Sequence, residues 1–264
     1  MSSQRFRSIA LVVSVLILIY HSPSFAIHGG TKIDIKDAPW TVAIFTITTF
    51  CGGSILSKDY VLTAASCVEG QAVSEILIQY ESSNLYTGRT KIVWAEMVYI
   101  FDRYRNDTLQ NNIALIKTNT SMTLDQEKSK AIDLPKVEYE PEKDSNVSVS
   151  GYGDVDAKPI NEKLTDTSKY DLKRADFTVQ DRSECAQKYT DKYTDYETFC
   201  AKGCGAYIEQ GDIGDPAVQK NESSIEVLAG FVSYAKIQNP LTIFTKVGSY
   251  VEWILEIMKK NSKS

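Results

Sequence analysis

The sequence predicts an all-β barrel or sandwich finished by a C-terminal helix, and three observations carry that expectation. After residue 27 the chain is a succession of short runs rich in β-branched and aromatic residues, separated by turn residues. The period then changes: Val247, Tyr250, Val251, Ile254, Leu255 and Met258 fall at helical spacing, followed by Lys259, Lys260 and Lys263, whose charges favour a helix C-terminus. Finally, the chain holds five cysteines behind a leader sequence, which implies disulfides plus one unpaired thiol.

Taken in order, residues 1–26 read as a secretory signal. Arg5 and Arg7 give a positive start, Ile9 to Tyr20 is apolar, and Ser24-Phe25-Ala26 has the small-x-small form of a cleavage site. The apolar run is shorter than the roughly 20 residues that span a bilayer. Strand-type runs follow at Trp40 to Ile47, Ile76 to Gln79, Ile92 to Ile100 and Ile113 to Lys117. Leu134-Pro135 to Asp144, rich in Pro, Glu and Lys, reads as a linker between two halves. Val147 to Ser150 and Val227 to Tyr234 are further strands. Between them Lys188-Tyr189-Thr190-Asp191 is echoed at once by Lys192-Tyr193-Thr194-Asp195, and on a helix Tyr189 and Tyr193 share one face.

The net charge of −5 becomes more negative once the two leader arginines are removed, and no Lys/Arg run stands against it. That composition argues against nucleic acid as a partner, and no later stretch is long and apolar enough to be a membrane helix. Neither a metal-ligand pattern nor a cofactor motif is readable, so no cofactor and no metal ion are expected. Sequons at Asn106, Asn119, Asn146 and Asn221 permit N-glycosylation of surface loops.

Four segments set the family context: Ile27-His28-Gly29-Gly30, Phe50-Cys51-Gly52-Gly53-Ser54, Thr63-Ala64-Ala65-Ser66-Cys67 and Gly211-Asp212-Ile213-Gly214-Asp215-Pro216. Asn111 to Lys117, Gly151-Tyr152-Gly153 and Ile243 to Val247 add to them. In order and spacing these resemble the trypsin/chymotrypsin-like serine proteases over the whole chain after residue 26. The resemblance implies two six-stranded antiparallel β-barrels with the active site between them: residues 27–135 form the first, 136–244 the second, and 245–264 a C-terminal helix. It implies disulfides Cys51–Cys67 and Cys185–Cys200, and leaves Cys204 as the odd thiol, inert or paired with a second chain. It also implies that a free Ile27 ammonium inserts beside Asp212; because Ala26 precedes Ile27, signal cleavage alone would release that form.

The same alignment places Ser66, Asn112 and Ile213 where the family carries its base, its orienting carboxylate and its nucleophile. Triad chemistry needs an imidazole to take the proton of a nucleophilic hydroxyl and a carboxylate to hold that imidazole. Isoleucine has no nucleophilic atom, and serine is no base near neutral pH. The chain has two histidines, His21 in the leader and His28 beside the expected N-terminus, where packing or an ordinary hydrogen bond is its expected role. No catalytic residue is therefore assigned. On the specificity side, Tyr207 is expected to plug the pocket, with Ala235 and Thr242 adding bulk to its walls, and Asp215 sets a carboxylate where the family has glycine.

Loss at all three positions most resembles the inactivated serine protease paralogues of the scabies mite, relatives of the mite group 3 allergens. That resemblance implies a secreted pseudoprotease of the gut lumen that binds other proteins and interferes with host complement. Two alternatives stand beside it: a cofactor-type serine protease homologue in an invertebrate cascade, and an enzyme with a relocated active site. Tyr189, Tyr193 and Tyr196, interleaved with Lys188, Asp191, Lys192 and Asp195, are a candidate binding surface, since tyrosine gives large contact area with few rotors.

Overall fold

The computed structural model describes residues 27–153, 167–236 and 238–261. Six strands close the first barrel: β2 (Thr41–Phe45), β3 (Phe50–Ser57), β4 (Tyr60–Thr63), β5 (Leu77–Tyr80), β6 (Lys91–Ile100) and β7 (Ala114–Thr118), in the order β2-β3-β4-β7-β6-β5. Every pairing is antiparallel. Val42, Ile44, Ile55, Leu62, Ile78, Leu115 and Ile116 are among the buried residues of this barrel's core.

The second barrel comprises β8 (Asn146–Gly151), β9 (Lys173–Val179), β10 (Thr198–Gly203), β11 (Pro216–Lys220), β12 (Glu226–Ala235) and β13 (Leu241–Lys246). Its ladder runs β9-β10-β13-β12-β11-β8, and β8 pairs back to β9 to close it. Val147, Val149, Phe177, Phe199, Val232 and Phe244 fill this core, with Phe199 stacked on Phe244 at 5.0 Å.

Each end of the described chain crosses to the barrel it is not continuous with. The short strand β1 (Thr31–Lys32) pairs with β9 of the second barrel, so residues 27–32, expected in the first barrel, run along the second. The helices are α1 (Ala65–Val68), α2 (Arg182–Lys188) and α3 (Val251–Lys260). A 3-10 turn at Val247–Tyr250 leads into α3, whose apolar stripe lies on the first barrel. There Phe101 meets Tyr250 and Trp253 edge-on at 5.2 and 5.5 Å. These crossings tie the barrels together and fix the angle between them.

The expected linker is held down along its length. Arg182 Nε and Nη2 donate to the two oxygens of Glu140 at 3.0 and 2.5 Å, and Lys246 Nζ donates to Glu140 Oε2 at 2.8 Å. Glu138 N donates to Gly248 O at 2.9 Å, and Tyr139 packs on the second core. Glu and Lys in this stretch reflect a network of ion pairs as well as solvation.

Both expected disulfides are present, Cys51–Cys67 and Cys185–Cys200. Cys204 is free and exposed. The tyrosine echo does not form one helical face. Helix α2 stops at Lys188, and Tyr189 caps it with its N–H on Cys185 O. The Tyr189 side chain is 3% exposed, donates its hydroxyl to Leu241 O at 2.5 Å, and meets Tyr234 edge-on. Tyr193 is half-buried on the same cluster around Cys185, Cys200 and Ile243. Tyr189 is thus core, because the disulfide and β13 draw its ring inward, and the proposed tyrosine surface reduces to Tyr196, which is 58% exposed.

Candidate functional site

Where the two barrels meet, three loops bring Ser66, Asn112 and Ile213 together. Strand β4 ends at Thr63, and the single-turn helix α1, pinned by Cys67 to Cys51 on β3, holds Ser66 in its first turn. Asn112 comes just before β7 begins at Ala114. Ile213 follows the 3-10 turn Gln210–Asp212. The turn is locked across the interface, since Gly52 N donates to Ile213 O at 2.8 Å and Thr63 Oγ1 donates to Gly52 O at 2.7 Å. A Cβ at Gly52 or at Gly151 would collide with the Asp215 carboxyl, so both positions need glycine.

Asn112 is the centre of a neutral network. Its Oδ1 accepts from Ser66 N at 2.9 Å, while its Nδ2 donates to Ser66 Oγ at 3.3 Å and to Ser233 Oγ at 3.0 Å. Its backbone oxygen accepts from Thr245 Oγ1 at 3.1 Å. The carboxamide is buried and both of its ends are used, as a buried amide requires. The Ile213 side chain is half-buried and touches both barrel cores. No group in this cluster titrates near neutral pH. Ser233 is the member that the sequence reading missed, because nothing in Val232-Ser233-Tyr234 distinguishes an inward hydroxyl from an outward one.

This network sets a stability expectation. Asn112→Ala leaves Ser66 N and Ser233 Oγ buried or half-buried without their partner, a penalty of about 1–3 kcal/mol. Thermal melts should show a drop of about 3–10 °C. An unchanged melting temperature would mean that the network contributes nothing.

Tyr207, expected to plug the pocket, packs against His28. Its ring is half-buried and lies flat on the exposed His28 imidazole, with centroids 4.0 Å apart and planes at 12°. The Tyr207 N–H donates to His28 O at 3.1 Å, which ties the start of the described chain to this loop. Thr242 is fully buried on β13 and Ile208 is 1% exposed, whereas Ala235 stays partly exposed. Ile208 was not singled out from sequence, being an ordinary aliphatic residue in a run of mixed character.

Beneath this surface lie two carboxyls. Asp212 and Asp215 are 0% and 1% exposed. Asp212 Oδ2 accepts from Glu209 N at 2.8 Å, but its Oδ1 has no protein hydrogen-bond partner, and neither has either oxygen of Asp215. Burial pushes the Asp212 carboxyl up to about 6, against the hydrogen bond it accepts from Glu209 N. Burial and then the Asp212 charge push Asp215 up well beyond the usual carboxylate range. Ile27, wholly buried, is the neighbouring segment that could bring a positive charge. Its φ of 21° lies at the edge of the left-handed region, which a β-branched residue seldom adopts. Tyr152 is also buried here, with its hydroxyl on Ser82 O. Lys173, on β9, is lowered by burial while Asp171 and Asp212 pull the other way.

Among the described residues no group of three or more His, Cys, Asp or Glu is arranged to hold a metal ion. No helix among them is long and apolar enough to cross a membrane.

Comparison with known proteins agrees with this architecture. The Trypsin family profile matches residues 27–254. The chain belongs to the trypsin family. It is 32% identical to trypsin Tyr p 3.0101 of Tyrophagus putrescentiae over 243 residues, covering 89% of this chain and 81% of that protein. It is 29% identical to trypsin Blo t 3 of Blomia tropicalis, covering 89% and 86%. Among solved structures it resembles the scabies mite inactivated protease paralogue S-D1, with 41% identity, a TM-score of 0.77, and coverage of 88% of this chain and 97% of that one. The inactivated paralogue S-I1 matches with the same identity and TM-score, over 88% and 99%.

Proposed function

We propose that this trypsin-family member is a secreted pseudoprotease that has lost hydrolysis and acts by binding another protein, with complement components of host serum as the candidate partners. The observation that carries the reading is the neutral Ser66–Asn112–Ser233 network beside Ile213. The reading takes Ser66, Asn112 and Ile213 as the family's triad positions, which then hold no imidazole, no carboxylate and, at Ile213, no hydroxyl. In a well-studied unrelated protease, removal of the triad lowers turnover roughly a million-fold. The likeness to two structures titled inactivated protease paralogues supports it.

Binding is then the remaining use of a stable scaffold whose loops are free to vary. The test is to immobilise the chain starting at Ile27 and to identify what it retains from host serum at physiological salt. Specific retention of complement components is expected. Retention of nothing above a control column would count against a serum partner and shift weight to a partner in the organism's own cascades.

A further inference from the structure

Strand β6 lies between β5 and β7 and shows period-2 alternation, with Val93 and Ala95 inward and Ile92 and Trp94 outward. Outward here means open to water: Ile92 is 51%, Trp94 43% and, past the bulge at Ala95/Met97, Met97 48% exposed. Leu77, cross-strand from Trp94, is half-buried and extends the strip onto β5. A run of large apolar side chains on one barrel face calls for a cover.

The cover is indicated by the residue that follows β7. The ladder ends at Ala95 opposite Thr118, which makes Asn119 the next cross-strand neighbour of Trp94. Asn119 N donates to Trp94 O at 2.8 Å, and Asn119 Oδ1 accepts from Trp94 N at 3.2 Å and from Thr120 Oγ1 at 3.4 Å. The carboxamide oxygen is therefore fixed on the backbone of the tryptophan, and among the described residues Nδ2 has no hydrogen-bond partner. Asn119 is exposed and heads the sequon Asn119-Thr120-Ser121. Among the sequons, Asn221 makes a similar pair of bonds to exposed Ile225, at 2.8 and 3.0 Å, but that residue offers no aromatic face. Asn221 uses its Oδ1 to hold Ser223 N and Ile225 N in the β11–β12 turn, and Asn146 accepts from Thr178 Oγ1.

We propose that Asn119 carries an N-linked glycan whose first sugars lie on Trp94 and Ile92, so that carbohydrate covers the apolar strip of β6. The proposal rests on the secretory reading above. An N-glycosidic bond to Nδ2 leaves one N–H on that atom and leaves Oδ1 free to keep its bond from Trp94 N. The linkage thus starts beside the indole with its direction already set. The C–H face of an N-acetylglucosamine stacks on an aromatic ring, and indole offers the largest such face.

The test uses protein secreted from a eukaryotic cell, with N-terminal sequencing, glycopeptide mapping and acrylamide quenching of tryptophan emission. Carbohydrate at Asn119 is expected. Its enzymatic removal, or Asn119→Gln, should shift the emission to the red and increase quenching, and Trp94→Phe should abolish that increase. Carbohydrate at another sequon with Asn119 bare overturns the proposal alone, as does a glycan at Asn119 whose removal leaves quenching unchanged. A chain that keeps residues 1–26 and carries no carbohydrate overturns the secretory reading and the proposal with it.

Discussion

Asp212→Ala, made in the chain that begins at Ile27, should melt about 10 °C below the parent. The same loss should follow from one extra residue placed ahead of Ile27. Both changes remove a pairing between the new ammonium and a carboxylate that is wholly buried and has an oxygen without a protein partner. Breaking a buried pair from one side costs about 3–5 kcal/mol, since the other charge stays behind in the interior. In a domain of this size each kcal/mol moves the midpoint by about 2–4 °C. Ile27 is already buried, so insertion requires only that the peptide bond to Ala26 be cut. Equal melting temperatures for parent, Asp212→Ala and the extended chain would show that the ammonium does not pair there.

Asp215 makes the same site depend on pH in a direction opposite to that of an ordinary salt bridge. Both carboxyls are raised above their unfolded values, Asp212 to about 6 and Asp215 further. A group raised on folding contributes stability that is complete below its unfolded pKa and is lost as pH rises through the folded one. The chain extended ahead of Ile27 should therefore lose stability from about pH 4 upward, through 6 and beyond. In the chain that begins at Ile27, one ammonium offsets one of the two charges until the amine itself deprotonates, near pH 8 for an unperturbed group. Asp215→Asn keeps the shape and removes the second charge, so its melting temperature should decline less between pH 4 and 8. Tyr152, Lys173 and Glu209 also face the pair and are present in every variant, so the comparison isolates Asp215. Parallel pH profiles for parent and Asp215→Asn would show that folding does not raise the Asp215 carboxyl.

Much of this was readable from the chain because it depends on local pattern. Runs rich in β-branched and aromatic residues at Ile92 to Ile100 and Ile113 to Lys117 favour strands, and both segments form strands of the first barrel. The shift to helical spacing at Val247 marks the 3-10 turn and α3. Asp215 was noted as a carboxylate beside Ile213, and it is there, although its complete burial came from the approach of Gly52 and Gly151 on strands distant in sequence.

What was not readable depends on which neighbour a side chain meets. Tyr189 and Tyr193 stand in identical tetrapeptides, yet one is core and the other half-buried, because the disulfide beneath them reaches only the first fully. Tyr207 sits at the expected place in the chain, but its ring stacks on the His28 imidazole, a contact between residues far apart in sequence. Ser233 joins Asn112 because β12 has a register shift between Val232 and Tyr234, which no composition rule announces.

On the proposed function, a protease architecture persists here without protease chemistry. That reading is tested most directly by incubating the chain that begins at Ile27 with a broad peptide library and a fluorophosphonate probe, at high protein concentration and alongside an active mite trypsin. The account predicts no cleavage above buffer and no labelling, where the active enzyme gives both. Cleavage that follows this protein through repurification would contradict it and would locate an active site elsewhere on the fold.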